Sequence, residues 1–116
     1  MSNLHLDYLL HILEETLFLL KESEGITETE FLADEKRKRA FARSFEIIGE
    51  ASKNIPDDEK KKYSRIDWKA MARMRDRLIH HYFGVDYHIV WDTVQENIPY
   101  LKKELEDILD KMKNEQ

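Results

Sequence analysis

Apolar residues recur at helical spacing along nearly the whole chain. Leu6, Leu9, Leu10, Leu13, Leu17 and Leu20 follow an i, i+3, i+4, i+7 pattern. This predicts a first helix from about Asn3 to Glu22, closing near Gly25. Thr27 with Glu30 three residues later has the form of a capping box, so a short helical turn is expected over Glu28 to Leu32. Asp34 can cap a second long helix from about Glu35 to Asn54. Its apolar face is Phe41, Phe45, Ile48 and Ala51 or Ser52, and Pro56 ends it. Gly49 inside that helix costs up to about 1 kcal/mol against alanine. A close approach by another helix would account for that cost.

The polar stretch Asp57 to Ile66 reads as a connector with room for one helical turn. Asp67 is a good N-cap for a third helix, Trp68 to about Phe83, with Met71, Met74, Leu78 and either Ile79 or Tyr82 toward the core. Gly84 stands where a C-terminal cap belongs. Asp86 then caps a fourth helix through Val90, Trp91 and Val94. Pro99 marks a kink or a new start, and a last helix carries Leu101, Leu105, Ile108, Leu109 and Met112. The expected fold is all-α: an up-and-down bundle of four to five helices in a single domain spanning residues 1–116.

Composition narrows the function more than the fold. Three glycines and two prolines in 116 residues are too few for the turns of an all-β domain. The absence of cysteine excludes a disulfide framework, Cys-ligated zinc and a thiol nucleophile, and fits a reducing compartment. Apolar runs such as Leu17 to Leu20 fall far short of the ~20 residues of a membrane span. Met1 to Asp7 lacks the pattern of a signal peptide, so a cytoplasmic protein is expected. The net charge is −5, but it is unevenly spread: residues 1–35 carry −8 and residues 60–77 carry +6. Such a local basic patch can meet a phosphate backbone even on an acidic protein, although solvated helix faces give the same pattern.

The five histidines are His5, His11, His80, His81 and His88, and none has a metal-ligand spacing such as His-Glu-x-x-His. No Gly-rich phosphate loop, serine elbow or acidic pair for two metals is present. The expected chemistry needs no metal or cofactor and is carried by Arg, His, Asp, Glu or Tyr. One segment concentrates those residues: Arg73-Met74-Arg75-Asp76-Arg77-Leu78-Ile79-His80-His81-Tyr82-Phe83. On a helix, Asp76 and His80 are i, i+4 neighbours, so the carboxylate can orient the imidazole or raise its pKa. Arg75 and Tyr82 share a face, and Arg73, Arg77 and His81 form another row. Arg75 and His80 are five apart, about 140° round the helix. A joint site therefore needs a bend near the helix end or a second copy of the segment.

The segment Arg75-x-x-x-x-His80-x-Tyr82 resembles the Arg-x4-His-x-Tyr motif of HepT, the toxin subfamily of the HEPN domains. It lies within a longer similarity, from Trp68 through Val85-Asp86. The run Phe45-Glu46-Ile47-Ile48-Gly49-Glu50-Ala51 is similar to the family's second-helix signature, and Trp91 with Ile98-Pro99-Tyr100-Leu101 also fits. The broader HEPN motif often has Asn after the Arg, where this chain has Asp76.

The resemblance implies a homodimeric helical ribonuclease whose two motif helices line a cleft at the dimer interface. His80 would be general base or acid, since an imidazole with an ordinary pKa near 6.5 suits both roles. Arg75 would stabilise charge on the phosphoryl oxygens, and Asp76 would position His80. Lys69, Arg73, Arg77 and His81 would guide the RNA backbone. The family pairs its toxin with a small nucleotidyltransferase antitoxin, MntA, which adds AMP to the motif tyrosine, here Tyr82. Glu46 and Glu50 read as helix-surface or interface hydrogen bonders. Competing expectations are a non-catalytic HEPN subunit that is partner or substrate of a minimal nucleotidyltransferase, and an inert helical dimer.

Overall fold

The structure is a computed structural model and describes residues 4–80 and 84–114. Among the described residues there are seven helices and no strand. They are α1 (Leu4–Ser23), α2 (Glu28–Leu32), α3 (Glu35–Lys53), α4 (Asp57–Lys62), α5 (Trp68–His80), α6 (Tyr87–Glu96) and α7 (Ile98–Asn114). The all-α expectation holds. The count rises from four or five because α2 and α4 are short helices in their own right.

The local signals set the helix ends. Thr27 and Glu30 form the capping box in both directions, side chain to backbone. The Asp34 carboxylate accepts from the Arg37 amide, Asp67 accepts from the Ala70 amide, and Asp86 accepts from the His88 and Ile89 amides. Gly25 has φ 77°, the left-handed conformation that closes α1 without a Cβ clash. Residues 54–56 break the chain after α3, where Asn54 is the C-cap and Pro56 begins the next helix. Asp57, Asp58 and Glu59 at the start of α4 and Lys60, Lys61 and Lys62 at its end complement the helix dipole. That arrangement turns half of the expected connector into a helix. Pro99 lies in the first turn of α7, so it is a new start and not a kink.

Helix α3 occupies the centre, with α1 on one side and α5 on the other. The α1 and α3 chains run in opposite directions, as Arg37 donates to the Glu22 carbonyl and Ser44 to Glu15. Ser52 meets Met71 while Gly49 meets Arg75, so α5 also runs against α3. Helix α7 covers another side of α1 and packs on α6. The core is an aromatic stack: Phe31 of α2 lies 4.8 Å from Phe41 and 5.3 Å from Trp91, ring centre to ring centre. Phe31 and Phe41 are fully buried, so the short α2 exists to plug one ring between α3 and α6. His88 and Glu28 make a 2.6 Å contact that pins the other side of α2 to the start of α6. The Glu28 carboxylate raises the His88 pKa above its ordinary value of 6.5.

The buried seam of α1 differs from the expected stripe. Leu9, Ile12, Thr16 and Leu19 are buried, whereas Leu10 and Leu17 are exposed. On α5, Leu78 is buried, Met71 and Met74 pack against the core, and Ile79 is exposed. The alternative to Ile79, Tyr82, lies outside the described residues, as do His81 and Phe83. Among the described residues, no helix is long and apolar enough to cross a membrane.

Candidate active site

Every candidate residue with a described position sits on α5, and the face of α5 that each one occupies decides its surroundings. Arg75 points at α3. Gly49 makes this possible: a Cβ there would lie 2.2 Å from the Arg75 Cβ and 2.9 Å from the Met71 carbonyl oxygen. The bare backbone of α3 therefore lets α5 approach at that level, which is the close contact the mid-helix glycine implied. The Arg75 guanidinium then reaches Glu50, Nη2 to Oε2 at 3.0 Å. It also reaches Asp76, Nη1 to Oδ1 at 3.2 Å. Its side chain is 26% exposed.

Asp76 is held from α3 as well. The Lys53 ammonium donates to its Oδ1 at 2.9 Å. That hydrogen bond lowers the Asp76 pKa below its ordinary 3.8 against the opposing effect of desolvation, with a lesser contribution from Arg75. The carboxylate is thus ionised and engaged on the α3 side. Among the described residues it makes no hydrogen bond to His80.

His80 is the last described residue of α5 and is exposed. Together with Arg73, Asp76 and Arg77 it borders a shallow hollow of about 230 Å³. Arg73 and Arg77, which the spacing set in a row apart from Asp76 and His80, thus border the same hollow as those two, while Arg75 leaves that face for α3. Lys69 is exposed one turn before Arg73. His81 and Tyr82 belong to the residues that the structure does not describe.

Two residues of the site were not assigned to it from sequence. Glu50 read as a surface hydrogen bonder, and it is the partner of Arg75. Lys53 was not singled out, and it is the partner of Asp76. Gly49 was the available signal, because it marked the level at which α3 and α5 meet. Glu46, the other acidic candidate on α3, pairs with Arg43 at 3.3 Å. Among the described residues no three His, Asp or Glu side chains are grouped to share a metal ion.

The chemistry available is that of cations beside an imidazole. Arg73, Arg75 and Arg77 offer guanidinium groups suited to phosphate oxygens, and His80 can move a proton at a solvent-open position. A second hollow of about 200 Å³ opens on the adjacent side of α5, lined by Met74, Leu78, Val85, Ile89 and Val90. Ile89, which borders it, and Ile79, on α5, are both exposed. An apolar surface thus runs next to the charged one.

Known proteins resemble this chain over most of its length. The family described as ribonuclease HepT-like matches residues 12–108. A protein of Caldanaerobacter subterraneus subsp. tengcongensis, provisionally named an RNase, is 50% identical over 106 residues, 91% of this chain and 95% of that protein. One from Methanocaldococcus jannaschii, named with the same provision, is 45% identical over 108 residues, 93% of this chain and 89% of that protein. A third, from Thermococcus cleftensis, carries the provisional name ribonuclease HepT and is 48% identical over 108 residues, 93% of this chain and 98% of that protein. No solved structure matches the chain.

Proposed function

The chain belongs to the HepT-like ribonuclease family, and from that premise we propose that it is a metal-independent endoribonuclease, the toxin of a toxin–antitoxin pair, acting on tRNA or mRNA in the cytoplasm. The observation that carries this reading is the exposed His80 beside Arg73 and Arg77, with Arg75 held one face away. The reaction is an internal transesterification. His80 takes the proton of a ribose 2′-hydroxyl, or returns one to the leaving 5′-oxygen. The 2′-oxygen attacks the adjacent phosphorus, the P–O5′ bond breaks, and the products are a 2′,3′-cyclic phosphate and a 5′-hydroxyl. Arg75 stabilises the charge that develops on the phosphoryl oxygens, with Asp76 beside it in the catalytic set. Lys69, Arg73, Arg77 and His81 hold flanking phosphates.

The working unit is a homodimer built on α5 and α6. Arg75 and His80 diverge on one helix, and the apolar surface beside Ile79 and Ile89 is suited to burial against a second copy. In such a dimer each site takes Arg75 from one protomer and His80 from the other. Mixing the Arg75→Ala and His80→Ala proteins, each inactive alone, is therefore expected to restore cleavage through the one intact site of the mixed dimer. A mixture as inactive as its parts, or a stable monomer by light scattering at micromolar concentration, contradicts the composite site.

Control is assigned to a small MntA-like nucleotidyltransferase partner. The Tyr82 phenol oxygen attacks the α-phosphorus of a nucleoside triphosphate, pyrophosphate leaves, and AMP remains as a diester. The position of Tyr82, two residues after His80, supports this, as does the motif resemblance. Each AMP adds bulk and about one negative charge where RNA phosphate must approach. Tyr82→Phe is expected to keep RNase activity and to escape silencing by the partner. Mass spectrometry of the co-expressed pair checks it: AMP found only on another residue rejects this control.

A further inference from the structure

The contact between α3 and α5 contains a chain of four paired charges that the Arg-x4-His-x-Tyr motif does not define. Glu50 binds Arg75, Arg75 binds Asp76, and Asp76 binds Lys53, at 3.0, 3.2 and 2.9 Å. Two of the groups are cationic and two anionic, so the set is neutral. Arg75 is its least exposed member. The glycine at position 49 sets the depth of the contact, and Glu50 and Lys53 follow it on the same helix. We propose that Glu50 and Lys53 are positioning residues for Arg75, Lys53 acting through Asp76, and that Asp76 serves this clamp and does not orient His80.

The physical case has two parts. A free arginine side chain samples many rotamers, and fixing its guanidinium before substrate arrives removes that ordering from the reaction. Charge is the second part. Glu50 and Asp76 alone would surround Arg75 with two anions and repel an incoming phosphate. Lys53 balances one of them, so Arg75 keeps donors for phosphate within a neutral cluster. His80 is exposed at a hollow that it shares with Arg73, Asp76 and Arg77, while the Asp76 Oδ1 is engaged by Lys53 and Arg75.

The catalytic consequence rests on the ribonuclease reading; the clamp itself can be tested without it. In the full-length protein, the Arg75 Nε–H resonance is expected to be sharp and slowly exchanging. It should broaden or vanish in the Glu50→Gln/Lys53→Met double variant, with Glu50→Gln/Lys53→Arg intermediate between the two. A slowly exchanging His80 ring N–H, the mark of a carboxylate partner, should be absent from the wild type and from Asp76→Asn alike. On RNA, Lys53→Met should lower kcat/KM about tenfold, chiefly through KM, and Lys53→Arg should recover most of it. An Arg75 resonance unchanged in the double variant, or a protected His80 ring N–H that is lost in Asp76→Asn, overturns the proposal. A wild-type protein that cleaves no RNA defeats the ribonuclease reading instead, and the two spectroscopic arms then decide the clamp alone.

Discussion

Replacing His80 by alanine is expected to lower RNA cleavage by about 100- to 10,000-fold, the range that positioned proton transfer contributes. The ring is exposed at the described end of α5, so the melting temperature should change little. That combination separates lost chemistry from lost fold. Arg75→Ala should cost about 100- to 1,000-fold as a lost electrostatic stabiliser. Arg75→Lys should recover little of it. A lysine presents one point charge, whereas Arg75 meets Glu50 and Asp76 through separate nitrogens and would still have donors for the proposed phosphate. Single-turnover cleavage of a labelled RNA, alongside thermal melts of each variant, reads both effects.

The largest effect on stability is expected at Gly49. An alanine methyl would fall 2.2 Å from the Arg75 Cβ and 2.9 Å from a backbone carbonyl of α5. Neither neighbour is the end of a flexible side chain, so the two helices must separate. Helices α3 and α5 share the most extensive contact in the fold. Overpacking of this kind costs about 3 kcal/mol, or roughly 10 °C in Tm for a domain of this size. Gly84→Ala is the control, because among the described residues nothing lies within 4 Å of its added Cβ, and its φ lies outside the left-handed region. Urea unfolding of the two variants should separate them clearly. Equal stability of Gly49→Ala and wild type would mean that α3 and α5 do not meet as closely as described.

What was legible in the sequence was mostly local. The caps at Thr27, Asp34, Asp67 and Asp86 act within a few residues of themselves, so their helices start where the letters predict. The divergence of Arg75 and His80 follows from helix geometry alone. Helix α1 shows where such reading stops. It has leucines around much of its circumference, and only the packing of α3 and α7 selects Leu9, Ile12 and Leu19 over Leu10 and Leu17. The importance of Phe31 was hidden for the same reason, since a five-residue helix has no periodicity to reveal a ring that meets Phe41 and Trp91. The candidate site divides in the same way. Its α5 residues were visible as a dense motif. Glu50 and Lys53 joined it only through the register of α3 against α5, which Gly49 hinted at but could not fix.

The central claim is that this chain cuts RNA by proton transfer and electrostatic stabilisation without a metal ion. The most direct measurement is incubation of the purified protein with total RNA and tRNA in excess chelator, followed by analysis of the new ends. Undiminished cleavage that leaves 2′,3′-cyclic phosphate, or the monophosphate from its hydrolysis, is the predicted result. Intact RNA throughout, or cleavage lost in chelator and restored by a divalent ion, contradicts it.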